Sequence, residues 1–195
     1  MSDDWQISPY ERSRRAPLHF WARADNARFT AYILSKAAKL ETVSAMADDI
    51  GYGGTPSIAT YEAFVREASL SLELIIKGVI AQRLEVGEKL GVTSVPANHN
   101  VPQLWDHAKL PKPSDADYGR LVQARVYLMW ASRYPAPLKD EHGDKDSEEI
   151  QRYATERLPN SKLFRKPRSF AWDDIRRIYS VVHDCFWEIR NAHFP

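Results

Sequence analysis

The chain has 195 residues, 44% hydrophobic and 27% charged, with a formal net charge of +1. No global field therefore steers it towards nucleic acid, and any such contact must come from a local patch. A lone cysteine, Cys185, excludes an internal disulfide framework, and no apolar run approaches the length of a membrane span. A soluble, cytoplasmic protein of one domain is the expectation.

Residues 1–16 lack periodicity and read as a loose arm. From Pro17 a helix is expected, with Ala22, Asn26, Phe29, Ile33, Ala37, Leu40 and Val43 on its buried stripe. The run from Gly51 to Pro56 breaks it; without a following Lys-Ser/Thr it reads as an interhelical loop, not a phosphate cradle. Tyr61 to Arg83 is the strongest element. Phe64, Val65, Ala68, Leu72, Ile75, Ile76 and Val79 form one wide apolar face, and the flanks are apolar too. Such a helix belongs at the centre of a bundle.

A loop over Gly91–Pro102 leads to a short helix, Pro102 to Leu110, anchored by Leu104 and Trp105. From Asp115 another helix is predicted, with Leu121, Val122, Val126, Met129 and Trp130 inward, ending at Tyr134-Pro135. Residues 138–168 form a charged connection, acidic and exposed over Lys139–Glu149, with a short helix around Ile150, Tyr153, Ala154 and Leu158. The last helix, 169–193, takes Ser169 as N-cap and buries Ile175, Tyr179, Val182, Phe186 and Ile189. No strand is expected. The fold class is all-α.

Three landmarks occur in order. Glu73-Leu74-Ile75-Ile76-Lys77 places an acid four residues before a lysine amid aliphatics; Pro96-Ala97-Asn98-His99-Asn100 is followed by Leu104; Ser132-Arg133-Tyr134-Pro135 ends the next helix. Together they resemble the HEPN family over residues 61–137. The resemblance implies an up-and-down helical bundle, here with N-terminal and C-terminal helical additions, that forms a homodimer and needs no cofactor. It implies a module that binds nucleic acid, a nucleotide or a partner protein, in a toxin–antitoxin or defence setting, with His99, Asn100, Arg133 and Tyr134 as candidate ligand contacts. A structural reading stands beside it. Glu73 and Lys77 can pair one turn apart, His99 can cap the next helix, and Arg133 can neutralise a helix C-terminus. A purely structural interaction protein is the third reading.

Many HEPN proteins are metal-independent ribonucleases with Arg, four to six residues, then His at a homodimer interface. Arg176 and Arg177 precede His183 at these spacings. Histidine can shuttle protons and arginine can stabilise a crowded phosphate. Ile178 stands where that family prefers a polar residue, and the same spacing links His19 to Arg12 and Arg14. Lys162, Arg165, Lys166 and Arg168, with Phe164, form a basic stretch able to contact phosphates, and Arg190 joins them as a candidate. No HxxxH, ExxH or CxxC spacing offers a metal site, and Cys185 reads as core packing.

Overall fold

The computed structural model describes residues 8–37, 41–131, 137, 139–158 and 165–194. It is an all-α helical bundle, with one small hairpin among the described residues. The helices are α1 (Pro9–Arg15), α2 (Pro17–Ala37), α3 (Glu41–Asp49), α4 (Pro56–Glu85), α5 (Val101–His107), α6 (Asp115–Val126), α7 (Asp140–Tyr153) and α8 (Trp172–His193). No described helix is long and apolar enough to cross a membrane.

The 30-residue α4 is the axis of the bundle. It packs most extensively against α2, and α8, α5 and α6 cover its other sides. All seven residues of its predicted apolar face are buried, five of them completely. Leu104 and Trp105 anchor α5 as expected, and the Trp105 indole donates to the Pro111 carbonyl at 2.9 Å. Four of the five residues expected on the inner stripe of α8 are buried, and Ile189 packs partly buried against the core.

Several expectations are corrected. Residues 9–15 form α1 where a loose arm was expected. The Ser8 hydroxyl accepts from the Glu11 N–H at 3.1 Å, and Pro9 opens the helix. The buried side of α2 consists of Pro17, Ala24, Ala27 and Ala31, whereas Phe29 and Ile33 are 62% and 49% exposed. Small alanines let the α2 backbone lie close against α4, while Phe29 and Ile33 lie on its outer side. Leu40 lies outside the described residues.

In the next helix a π turn over Tyr127–Ala131 follows α6. This wider turn breaks the 3.6-residue repeat. Leu128 is buried, while Met129, expected inside, is half exposed.

No strand was expected, yet Thr155–Arg157 (β1) and Arg165–Pro167 (β2) pair antiparallel, with Glu156 opposite Lys166. The hairpin is held to α6, because Gln123 Nε2 donates to the Arg168 carbonyl at 3.2 Å. Nearby, Arg120 Nε donates to the Ser169 carbonyl at 3.1 Å. Ser169 is therefore not the N-cap of α8. That position is Ala171, which has no capping side chain, although Asp173 and Asp174 occupy the first turn as expected.

Candidate functional site

At the centre of α4, Glu73 and Lys77 are one turn apart, and the loop before α5 reaches Glu73 through His99. Both are buried, at 2% and 7% exposure, and Lys77 Nζ lies 2.6 Å from Glu73 Oε1. Two charges so far from water require partners, and a third group supplies one. His99 Nδ1 lies 3.1 and 3.0 Å from the two Glu73 oxygens.

A carboxylate only accepts, so His99 Nδ1 carries the proton and Nε2 is left as the working nitrogen. The ring is 40% exposed. His99 thus joins a buried ion pair to the surface. It does not cap the next helix; Asn100 does, its side-chain oxygen accepting from the Gln103 N–H at 3.3 Å.

His99 and Asn100 line a half-open cleft of about 320 Å³, together with Arg125, Trp130, His142 and Lys145. Arg125 fixes its far wall, donating to Asp146 at 2.6 Å and to Glu149 at 2.7 Å. The Trp130 indole donates to the other Asp146 oxygen at 2.8 Å. These bonds tie α7 to α6 and orient its cleft-facing side. His142, Lys145, Asp146 and Glu149 stand at the first, fourth, fifth and eighth positions of an eight-residue run and so lie along one face of α7.

Sequence reading singled out His99 and Asn100 but missed Arg125, His142, Lys145 and Asp146. The available signal was the helical spacing inside a segment that read as merely charged. Arg133 and Tyr134 lie outside the described residues.

Of the candidate catalytic set, Arg177 faces α6, whereas Arg176 and His183, seven residues apart, share another face of α8. Arg177 Nη2 donates to Asp117 of α6 at 2.7 Å, and Arg120 lies 3.3 Å from the same carboxylate. Arg176 is 64% exposed and meets Asp173 at 3.3 Å. On the face that it shares with Arg176, His183 Nε2 accepts from Trp187 Nε1 at 3.1 Å. The Trp187 ring packs edge-on against Trp21 of α2, with centroids 5.5 Å apart.

The remaining His183 nitrogen, Nδ1, is 3.4 Å from Asp184. With Nε2 accepting from an indole, the lone pair that a general base needs is engaged. Arg177 and His183 are thus held by different neighbours.

Asp117 is the hub of the α6–α8 contact. Burial pushes its carboxyl up, but hydrogen bonds from Arg177 and Ser114 and the charges of Arg177 and Arg120 outweigh this, holding it below the usual carboxylate range. A depressed folded value gives stability that is present above the unfolded value, near 3.9, and is lost as pH falls through the folded one. Asp117→Asn should therefore cost about 1–2 kcal/mol at pH 7. Urea unfolding should show that difference shrinking from about pH 5 downward.

The basic stretch is largely engaged within the fold. Arg165 donates to the Thr155 hydroxyl at 2.6 Å and to its carbonyl at 3.0 Å. Glu156 lies 3.1 Å from Lys166 and 3.5 Å from Arg168. Arg190 reaches Gln82 of α4 at 3.4 Å and covers the Phe194 ring. Lys162 and Phe164 lie outside the described residues.

Cys185 is half-buried against the core, and burial pushes its thiol up against the opposing pull of Arg83. Among the described residues, no group of three metal-ligating side chains occurs.

The arrangement defines a helical protein with a polar and aromatic cleft beside a buried ion pair. No family model, curated protein or solved structure matches the chain.

Proposed function

We propose that the protein is a non-catalytic, HEPN-like module whose ligand is a nucleotide held in the His99 cleft. The observation that carries this reading is the fixed imidazole: Glu73, itself paired with Lys77, holds Nδ1 and leaves Nε2 for a ligand. The cleft, about 320 Å³, falls within the range of small-molecule sites. Its chemistry suits a base with an attached phosphate. Trp130 supplies an aromatic wall, while Lys145 and His142 supply donors on an exposed helix face.

The ribonuclease reading receives less support, because His183 Nε2 accepts from Trp187 and Arg177 is engaged by Asp117. On the proposed reading the protein works in the cytoplasm as a homodimer, in a toxin–antitoxin or defence setting.

Isothermal titration with AMP, GMP, UMP and ATP tests the proposal. Binding in the micromolar to millimolar range is expected, weakened about tenfold or more by His99→Ala and by Lys145→Ala. Absence of binding to all four, or unchanged affinity in His99→Ala, would overturn it. RNA cleavage in EDTA that disappears in His183→Ala would restore the enzyme reading instead.

A further inference from the structure

The α2 face that was expected to be buried lies open beside the start of α8, and its chemistry is not that of a simple apolar patch. Phe29 and Tyr32 are 62% and 41% exposed. Tyr32 packs against Trp172 with ring centroids 5.0 Å apart and planes tilted by 54°. Cations are interleaved with these rings. Lys36 Nζ lies 5.3 Å from the Tyr32 centroid, and Arg28 and Arg176 line the shallow hollow that Phe29, Tyr32 and Trp172 enclose.

We infer that this α2–α8 face binds single-stranded nucleic acid, stacking unpaired bases on Phe29, Tyr32 and Trp172 and holding phosphates with Arg28, Lys36 and Arg176. Every base has a π face, so partly open aromatic rings, led by the exposed Phe29, with cations beside and over them form a sequence-tolerant platform. The surface acids do not close the site. Asp25 pairs with Arg28 at 2.6 Å and Asp173 with Arg176 at 3.3 Å, both as partly open pairs three residues apart on one helix. Pairs of that kind are worth little, and a phosphate can compete for the arginines.

Asp173 is 85% exposed, so it can swing away from an incoming strand. A duplex hides its base faces and cannot use the rings. A protein partner would favour the aliphatic neighbour Ile33, which is 49% exposed, over the cations. The balance of rings and cations favours the single strand.

The surface shares no residue with the His99 cleft, so the inference goes beyond the nucleotide reading and can fail separately. The test is fluorescence anisotropy of full-length protein with 5′-fluorescein-labelled U15 RNA, T15 DNA and a 15-base-pair duplex.

Both single strands should bind, with the duplex at least tenfold weaker. Phe29→Ala and Trp172→Ala should each weaken single-strand binding about fivefold or more. Phe29 is exposed, so its variant keeps the test valid if Trp172→Ala fails to fold. Arg176→Ala should lower the slope of log affinity against log salt by about 0.7. His99→Ala should leave oligonucleotide binding intact, and Phe29→Ala should leave mononucleotide binding intact.

No single-strand binding, equal binding of the duplex, or unchanged affinity in Phe29→Ala would overturn the inference. So would sedimentation in which Phe29→Ala dissociates a dimer while oligonucleotide affinity stays the same. That last result would assign the face to a second protein chain.

Discussion

Glu73→Ala should lower stability by about 3–5 kcal/mol, the range for removing one partner of a buried ion pair. Lys77 is only 7% exposed, and Glu73 Oε1 is the hydrogen-bond acceptor at 2.6 Å from its ammonium. Without the carboxylate, the ammonium would either remain charged in an apolar interior or release its proton. Both alternatives are costly. The same loss would free His99, whose only side-chain partners at Nδ1 are the two Glu73 oxygens among the described residues.

Glu73→Gln keeps the shape and one accepting oxygen, so it should cost less than the alanine variant. It should still weaken the cleft, because a neutral amide holds the imidazole with a weaker bond than a carboxylate does. The contrasting case is the double variant Glu73→Leu with Lys77→Met. Replacing both charges with apolar groups of similar volume should be near neutral in stability. Urea denaturation of the three variants separates the two contributions. A double variant as unstable as Glu73→Ala would mean that His99 docking, not the desolvated charge, carries the effect.

How much of this was legible follows from the range of each interaction along the chain. The central helix was readable because it is apolar around most of its girth, so an error in phase would not have moved a side chain into water. The Glu73–Lys77 pair was readable because four residues make one helical turn. Its link to His99 was not, since the contact spans 26 positions and depends on the path of the intervening loop.

Arg177 repeats the lesson. Its spacing from His183 suggested one chemistry, but Asp117, 60 positions away, holds its guanidinium. The misreading of α2 has another cause. Phe29 and Ile33 dominate a hydrophobic pattern by size, whereas Ala24, Ala27 and Ala31 bury themselves by being small. The hairpin was hidden because three-residue strands are too short to display alternation, and Arg165–Pro167 is basic. The α1 cap, by contrast, is local and legible in Ser8-Pro9-Tyr10-Glu11.

Gly119→Ala should be the most damaging of the glycine-to-alanine changes. Helix propensity alone would favour alanine by about 1 kcal/mol. Here the added Cβ would meet the Tyr153 carbonyl group, its carbon at 2.9 Å and its oxygen nearer still, with the Ala154 Cα at 3.1 Å. These are backbone atoms, which cannot rotate away as a side-chain tip can. The end of α7 and the start of β1 must move off α6, carrying the Tyr118–Tyr153 edge-to-face contact, now 5.1 Å between centroids, with them.

A net loss of about 2–3 kcal/mol is expected, the upper part of the range for overpacked sites. For a chain of this size the melting temperature should fall by roughly 5–10 °C. Gly78→Ala provides the internal comparison. Its Cβ would find Phe20 Cβ at 3.5 Å and Phe186 Cδ2 at 3.6 Å, ordinary contact distances, so it should be neutral or gain up to about 1 kcal/mol.

The two glycines also differ in their connection to the cleft. Displacing the end of α7 shifts the helix that carries His142 and Lys145, so Gly119→Ala should weaken nucleotide binding well below its melting temperature. Gly78→Ala should leave binding unchanged. If Gly119→Ala loses stability but binds normally, the cleft does not depend on how α7 is docked, and the ligand must rest on His99 and the α5 side.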